Sequence, residues 1–167
     1  MAASLNAAVS DSGPGGFTIQ ISYDVKGTPD DVYKKFVQNI GDWWNPDHTF
    51  SGDAHNLSIE AKPMGCFCEK MPKGGGVRHL EVITVVPGQW LVMSGGLGPM
   101  QSLAAAGTMT ITLKSSTAGV TQLAMTYAVA GYLAKGMNAW AGPVDNMLTE
   151  QFTRFKKYVE TGDPKSK

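Results

Sequence analysis

The sequence predicts an α+β domain: a curved antiparallel sheet of about seven strands wrapped around one long C-terminal helix, with two short helices after the first strand. Three observations carry this. Several stretches alternate apolar and polar residues with period two. One late stretch repeats its apolar residues at three- and four-residue spacing. Clusters of Gly, Pro, Asn and Asp separate the stretches, at the places where a chain must turn.

The first ordered element is Phe17 to Lys26, where Phe17, Ile19, Ile21, Tyr23 and Val25 alternate with polar residues, the pattern of a strand with one wet face. Thr28 then offers a helix N-cap, Pro29 suits the first helical position, and Asp31 lies near the positive end of the dipole. Val32, Tyr33, Phe36, Val37 and Ile40 form the apolar stripe of this short helix, which Gly41 ends. One more turn is expected at Asp42–Pro46, followed by a polar stretch without period from Asp47 to His55.

Short strands are expected at 57–61 and 66–71, and hairpins at 77–86 with 89–94 and at 107–114 with 120–130. The segment 95–106 between the hairpins is rich in Gly, Pro and Ala yet carries Leu97, Met100 and Leu103, the composition of a loop lying over something. The last element runs from Pro143 through Val144, Met147, Leu148, Gln151, Phe152, Phe155, Tyr158 and Val159, and Gly162 closes it. Residues 17–162 thus read as a single domain and 163–167 as a tail. Residues 1–16 are small and polar, a disordered arm or the remnant of a tag or trimmed signal.

Composition narrows the function classes. Hydrophobic residues make up 43% of the 167 and charged residues only 17%, ordinary to slightly greasy for a globular chain. Lys plus Arg and Asp plus Glu both number 14, and no basic cluster appears, which argues against nucleic acid as a partner. No apolar run is long enough for a transmembrane helix. Gly95-Gly96-Leu97-Gly98 lacks the Lys-Ser/Thr ending of a phosphate loop, and no cofactor is expected.

Cys66 and Cys68 on an extended strand would lie about 6.6 Å apart on one face. A bond between them would require a bent or bulged chain, so two thiols are expected. Their spacing with the histidines matches no standard zinc pattern, and no metal site is expected.

A single helix about 10 Å across cannot plug the concave side of so wide a sheet. The remaining space must be filled by large side chains or left as a pocket. The many Met, Ala, Leu and Val residues on the inward pattern favour a pocket.

At this point the chain resembles a known group. The segments YDVKGTPDDVYKKF, WWNPDHTFSGDAHNLSIE, GGGVRHLEVITVVPGQWLVMSGGLGPMQ, AGTMTITL and VDNMLTEQFTRFKKYVETG resemble the SRPBCC superfamily, the START-like, birch-pollen-allergen-like helix-grip proteins. Within it they look most like bacterial proteins labelled polyketide cyclase/dehydrase or homologues of the heat-shock-protein ATPase activator. The resemblance implies a deep cavity between sheet and C-terminal helix. It also implies use of that cavity for hydrophobic ligands such as lipids or, in some relatives, for cyclisation or dehydration of polyketides. Similar proteins often carry an export signal, so a periplasmic or exported and a cytoplasmic location both stay open.

The leading expectation is a binding protein for a small hydrophobic or aromatic molecule, a monomer or weak dimer. Its pocket would be lined by Trp44, His48, Phe50, Met93, Leu97, Met100, Met109, Met125, Tyr127, Val144, Leu148 and Phe152. Trp43 and Trp44 cannot both face the core from one helical turn, which leaves Trp44 for the cavity mouth.

The second expectation is a cyclase or dehydratase in which His48, or His79 with Glu81, moves protons. His79 and Glu81 share a strand face. The alternate face, with Leu80, Val82, Thr84 and Val86, is more apolar and argues that His79 points outward. For His48 and His55 the plainer reading is a polar loop that caps itself. A third expectation is a co-chaperone-like interaction module, which a large exposed apolar patch beside a filled core would favour.

Overall fold

A computed structural model describes residues 6–166. One antiparallel sheet contains eight strands, in spatial order β1-β2-β8-β7-β6-β5-β4-β3. In chain order these are β1 (Asn6–Gly13), β2 (Gly16–Lys26), β3 (Leu57–Ile59), β4 (Cys66–Lys70), β5 (Gly76–Val86), β6 (Trp90–Gly95), β7 (Ala104–Thr117) and β8 (Val120–Tyr132). Helices α1 (Pro29–Gln38) and α2 (Ile40–Trp43) follow β2, and α3 (Ala141–Thr161) follows β8.

The eighth strand is β1. Asn6–Gly13 falls in the segment read as an arm, yet it pairs along β2 with a register shift between Val9 and Asp11. Small polar residues hide an edge strand well, because one flank of an edge is solvated and needs no strong alternation. Residues 1–5 of that segment lie outside the described residues.

Local chemistry sets the elements as the pattern indicates. In β2, Phe17, Ile19, Ile21, Tyr23 and Val25 are all buried. Thr28 caps α1, its hydroxyl oxygen accepting from the Asp31 amide at 3.2 Å. Gly162 closes α3 in the left-handed region, φ 80°, and its amide donates to the Tyr158 carbonyl.

The core is unevenly filled. Phe36, Trp43, Phe152 and Phe155 interlock between α1, α2 and the C-terminal half of α3, with ring centroids 5.0–6.0 Å apart. The Arg154 guanidinium donates to the Trp43 carbonyl at 2.9 Å and fastens α3 to the short helix. The N-terminal half of α3 has no such aromatic partners from α1.

The register also breaks twice along β5. Phe67 pairs with Leu80 but Cys68 pairs with Arg78, so His79 is an extra residue on β5. A second break falls between Val82 and Thr84 opposite β6. Bulges of this kind sharpen twist and re-aim side chains.

The expectation of two thiols is corrected here. Cys66 and Cys68 form a disulfide, with their Cα atoms 5.4 Å apart. That separation is shorter than the about 6.6 Å of a flat strand, and it falls beside the register break at Phe67/Cys68.

Candidate functional site

Below the N-terminal half of α3 the sheet and helix separate around a cavity of about 300 Å³. Trp44, Phe67 and Val144 line it, and the segment carrying Leu97 and Met100 crosses one side. This crossing segment contains a short 3-10 turn, Gly98–Ser102.

Trp44 enters the cavity because it ends α2 with extended backbone angles, φ −65° and ψ 142°. The break in helical direction sends Trp43 into the core and Trp44 toward Phe67, at 5.4 Å between ring centroids. The indole N–H of Trp44 donates to the His48 carbonyl at 3.0 Å. That bond fixes the Pro46–His48 turn against the cavity.

His48 and Glu150 meet at the mouth, Nε2 to Oε2, at 3.0 Å. A carboxylate only accepts, so His48 donates this bond from Nε2–H. The Asn45 side-chain amide also donates to Glu150, and the Asn45 backbone amide donates to Gln151 at 2.7 Å. The turn carrying His48 is thereby tied to α3.

A second polar group is buried in the cavity wall. Being the extra residue of the bulge, His79 turns inward together with Leu80, and both are buried. Alternation alone could not give this, and the outward reading of His79 is corrected. His79 and Glu81 do not act as a pair: Glu81 binds Arg78 at 2.6 Å in an exposed position.

The partner of His79 is Glu69 on β4, Nε2 to Oε2, at 2.9 Å. Glu69 also accepts the backbone amides of Phe50, at 3.1 Å, and Ser51, at 2.5 Å. Burial pushes the Glu69 carboxyl up, but the hydrogen bonds from Ser51, Phe50 and His79 outweigh it and hold the group below its usual range. Burial holds His79 below its own range, against the pull of Glu69.

The pair is therefore a neutral imidazole donating from Nε2 to a carboxylate. Its Nδ1 lies 3.4 Å from the Gln101 amide nitrogen, which donates to it. The Phe50 ring stacks on the imidazole at 5.9 Å, and Phe67 lies 5.0 Å away.

Of the twelve residues expected to line a pocket, Trp44, His48, Phe50, Leu97, Met100 and Val144 do so. Met93, Met109, Met125, Tyr127, Leu148 and Phe152 do not line this cavity, and all are buried in the packed core. Tyr127 has a structural task instead. Its hydroxyl donates to the Gly95 carbonyl at 2.9 Å and accepts from the Leu97 amide at 3.0 Å, pinning the root of the crossing segment. Gly95 is required at that root, with φ 145° and space for a Cβ only 3.0 Å from the His79 carbonyl oxygen.

Sequence reasoning missed Glu69, Phe67, Trp140 and Met147. Phe67 and Glu69 are two apart on one strand, so an inward Phe67 implies an inward Glu69. Trp140, Val144 and Met147 follow helical spacing and belong to one face.

No protein-family model matches the chain, and no curated protein matches it in sequence. Solved structures do share its fold. EF2215 from Enterococcus faecalis, a conserved protein of unknown function, superposes with a TM-score of 0.63 at 12% identity, over 95% of this chain and 78% of that one. CalU16 from Micromonospora echinospora gives 0.60 at 12% identity, over 97% and 87%. The Aha1 dimer from Colwellia psychrerythraea gives 0.58 at 12% identity, over 87% and 97%. With its single antiparallel sheet and long C-terminal helix, the chain shares the α+β architecture of these proteins and fits the helix-grip arrangement.

Proposed function

We propose that the chain binds a small, largely apolar molecule in the cavity between the sheet and the N-terminal half of α3. The observation that carries this reading is a cavity of about 300 Å³ walled by aromatic and aliphatic side chains beside an otherwise packed core. Pockets for small ligands are concave, mostly apolar and furnished with a few fixed polar groups. His79 with Glu69, and His48 with Glu150, are such groups. The resemblance to SRPBCC proteins supports the same use.

Saturable fluorescence enhancement of the neutral apolar probe N-phenylnaphthylamine tests the reading, with energy transfer from Trp44 and Trp140 as a second signal. Val144→Phe fills the cavity and is expected to weaken binding about tenfold or more while the far-ultraviolet circular dichroism stays native. A native protein that shows no saturable binding, or a Val144→Phe variant that binds equally well, would overturn it.

A second reading has one specific observation in its favour: a buried histidine–carboxylate pair on the cavity wall. Such a pair suits proton transfer on a bound molecule, as the cyclase or dehydratase alternative requires. His79 would then accept the proton, with Glu69 rather than Glu81 stabilising the imidazolium. Turnover of a bound polyketide-like substrate that survives His79→Gln unchanged would dismiss it. A filled core would have favoured the interaction-module reading, and the cavity does not supply that support.

A further inference from the structure

The charge and hydrogen-bonding character of the cavity mouth bears on which apolar molecules can enter. None of the side chains lining the cavity is Lys or Arg. Arg154, on the same helix, spends its guanidinium on the carbonyls of Trp43 and Trp44. An anionic head would therefore meet no lysine or arginine side chain in this cavity.

Asp47 and Thr49 present hydrogen-bond acceptors at the mouth. Asp47 lines the cavity and is exposed. Its amide is taken by the Asn45 side chain, and among the described residues no donor or cation reaches its carboxylate. The Thr49 hydroxyl donates to the Pro46 carbonyl at 2.7 Å, which leaves its oxygen free to accept. The Nε2–H of His48 is already given to Glu150. Around these acceptors stand the rings of Trp44, Phe50 and Trp140, whose faces attract cations.

We infer that the cavity selects hydrophobic amines: an aromatic or aliphatic body inside, and an ammonium head at the mouth beside Asp47. This rests on the binding reading above and adds to it the chemical class of the ligand. An ammonium group donates three hydrogen bonds and carries the positive charge that attracts the Asp47 carboxylate. A carboxylate head of equal size brings acceptors to acceptors and negative charge to negative charge.

Displacement of N-phenylnaphthylamine by three matched molecules separates the possibilities. These are naphthylmethylamine, naphthalenemethanol and naphthoate, compared at about pH 8, above the ordinary histidine range and below that of an alkylammonium. The amine is expected to displace the probe at about tenfold lower concentration than the carboxylate, with the alcohol between them. Asp47→Asn should bring amine and carboxylate to within about threefold of each other. Glu160→Gln, a control at the far end of α3, should keep the native order.

Equal competition by all three molecules, or a preference for naphthoate, would overturn the inference and leave the binding reading intact. A native order that persists in a folded Asp47→Asn variant would overturn the role of Asp47 and the inference with it. Absence of probe binding by the native chain would remove both readings together.

Discussion

At the scale of single residues, the molecule's most consequential investment is the carboxylate of Glu69, 1% exposed yet held ionised by donors on three sides. His79, 4% exposed, is held neutral beside it. Released into the unfolded chain, His79 regains its ordinary value of 6.5 and Glu69 its 4.5. Both folded values lie lower, so as pH falls the unfolded chain takes up each proton first and gains stability relative to the native state. Native stability should hold steady above 6.5, decline below it as His79 titrates in the unfolded chain, and decline again below 4.5 through Glu69. Urea unfolding between about pH 8 and about pH 4 measures this, and a flat profile through the upper window would contradict the His79 assignment. The residue types of this pair were visible in the sequence, but their pairing was not. A bulge inverts the alternation on which any strand-face argument depends.

Among the elements, the segment between β6 and β7 is pinned at its root by Tyr127. Burial pushes the Tyr127 phenol up to about 12, so it stays protonated and can donate to Gly95 while accepting from Leu97. Tyr127→Phe strands one buried amide and one carbonyl, and should cost about 1–3 kcal/mol of stability. It should also speed amide exchange across 95–103 more than in the strands, as hydrogen-exchange mass spectrometry would register. Unchanged exchange in that segment would show that other contacts fix it. The Gly- and Pro-rich composition, with apolar residues interspersed, was enough to mark a covering loop. The anchor was not legible, since a tyrosine in an alternating strand reads as any other inward side chain.

For the whole molecule, the two halves of α3 do different work. The C-terminal half joins a close-packed aromatic cluster, and the N-terminal half borders free space. Phe155→Ala should therefore cost about 3–5 kcal/mol in urea unfolding, the range for a large side chain removed from a filled core. Met147→Ala, at the border of the cavity, should cost about 1 kcal/mol, because fewer neighbours lose contact. Comparable losses at both sites would mean that the N-terminal half is packed as tightly as the other. The order of strands and helices was readable from periodicity and capping signals nearly throughout. How far the cavity extends was not, because inward methionines look alike whether they line a space or fill one. Met93, Met109 and Met125 fill.

The Cys66–Cys68 bond has a consequence for the bench. It lies on the strand that carries Phe67 and Glu69, one residue to either side of the former and next to the latter. A reductant added from habit during purification would open a ring that spans this part of the wall, and two preparations differing only in that additive would be different chemical species. Ligand screens, crystallisation trials and stability curves gathered with and without it belong in separate columns, and the intact mass of each sample, two hydrogens apart, says which column is which.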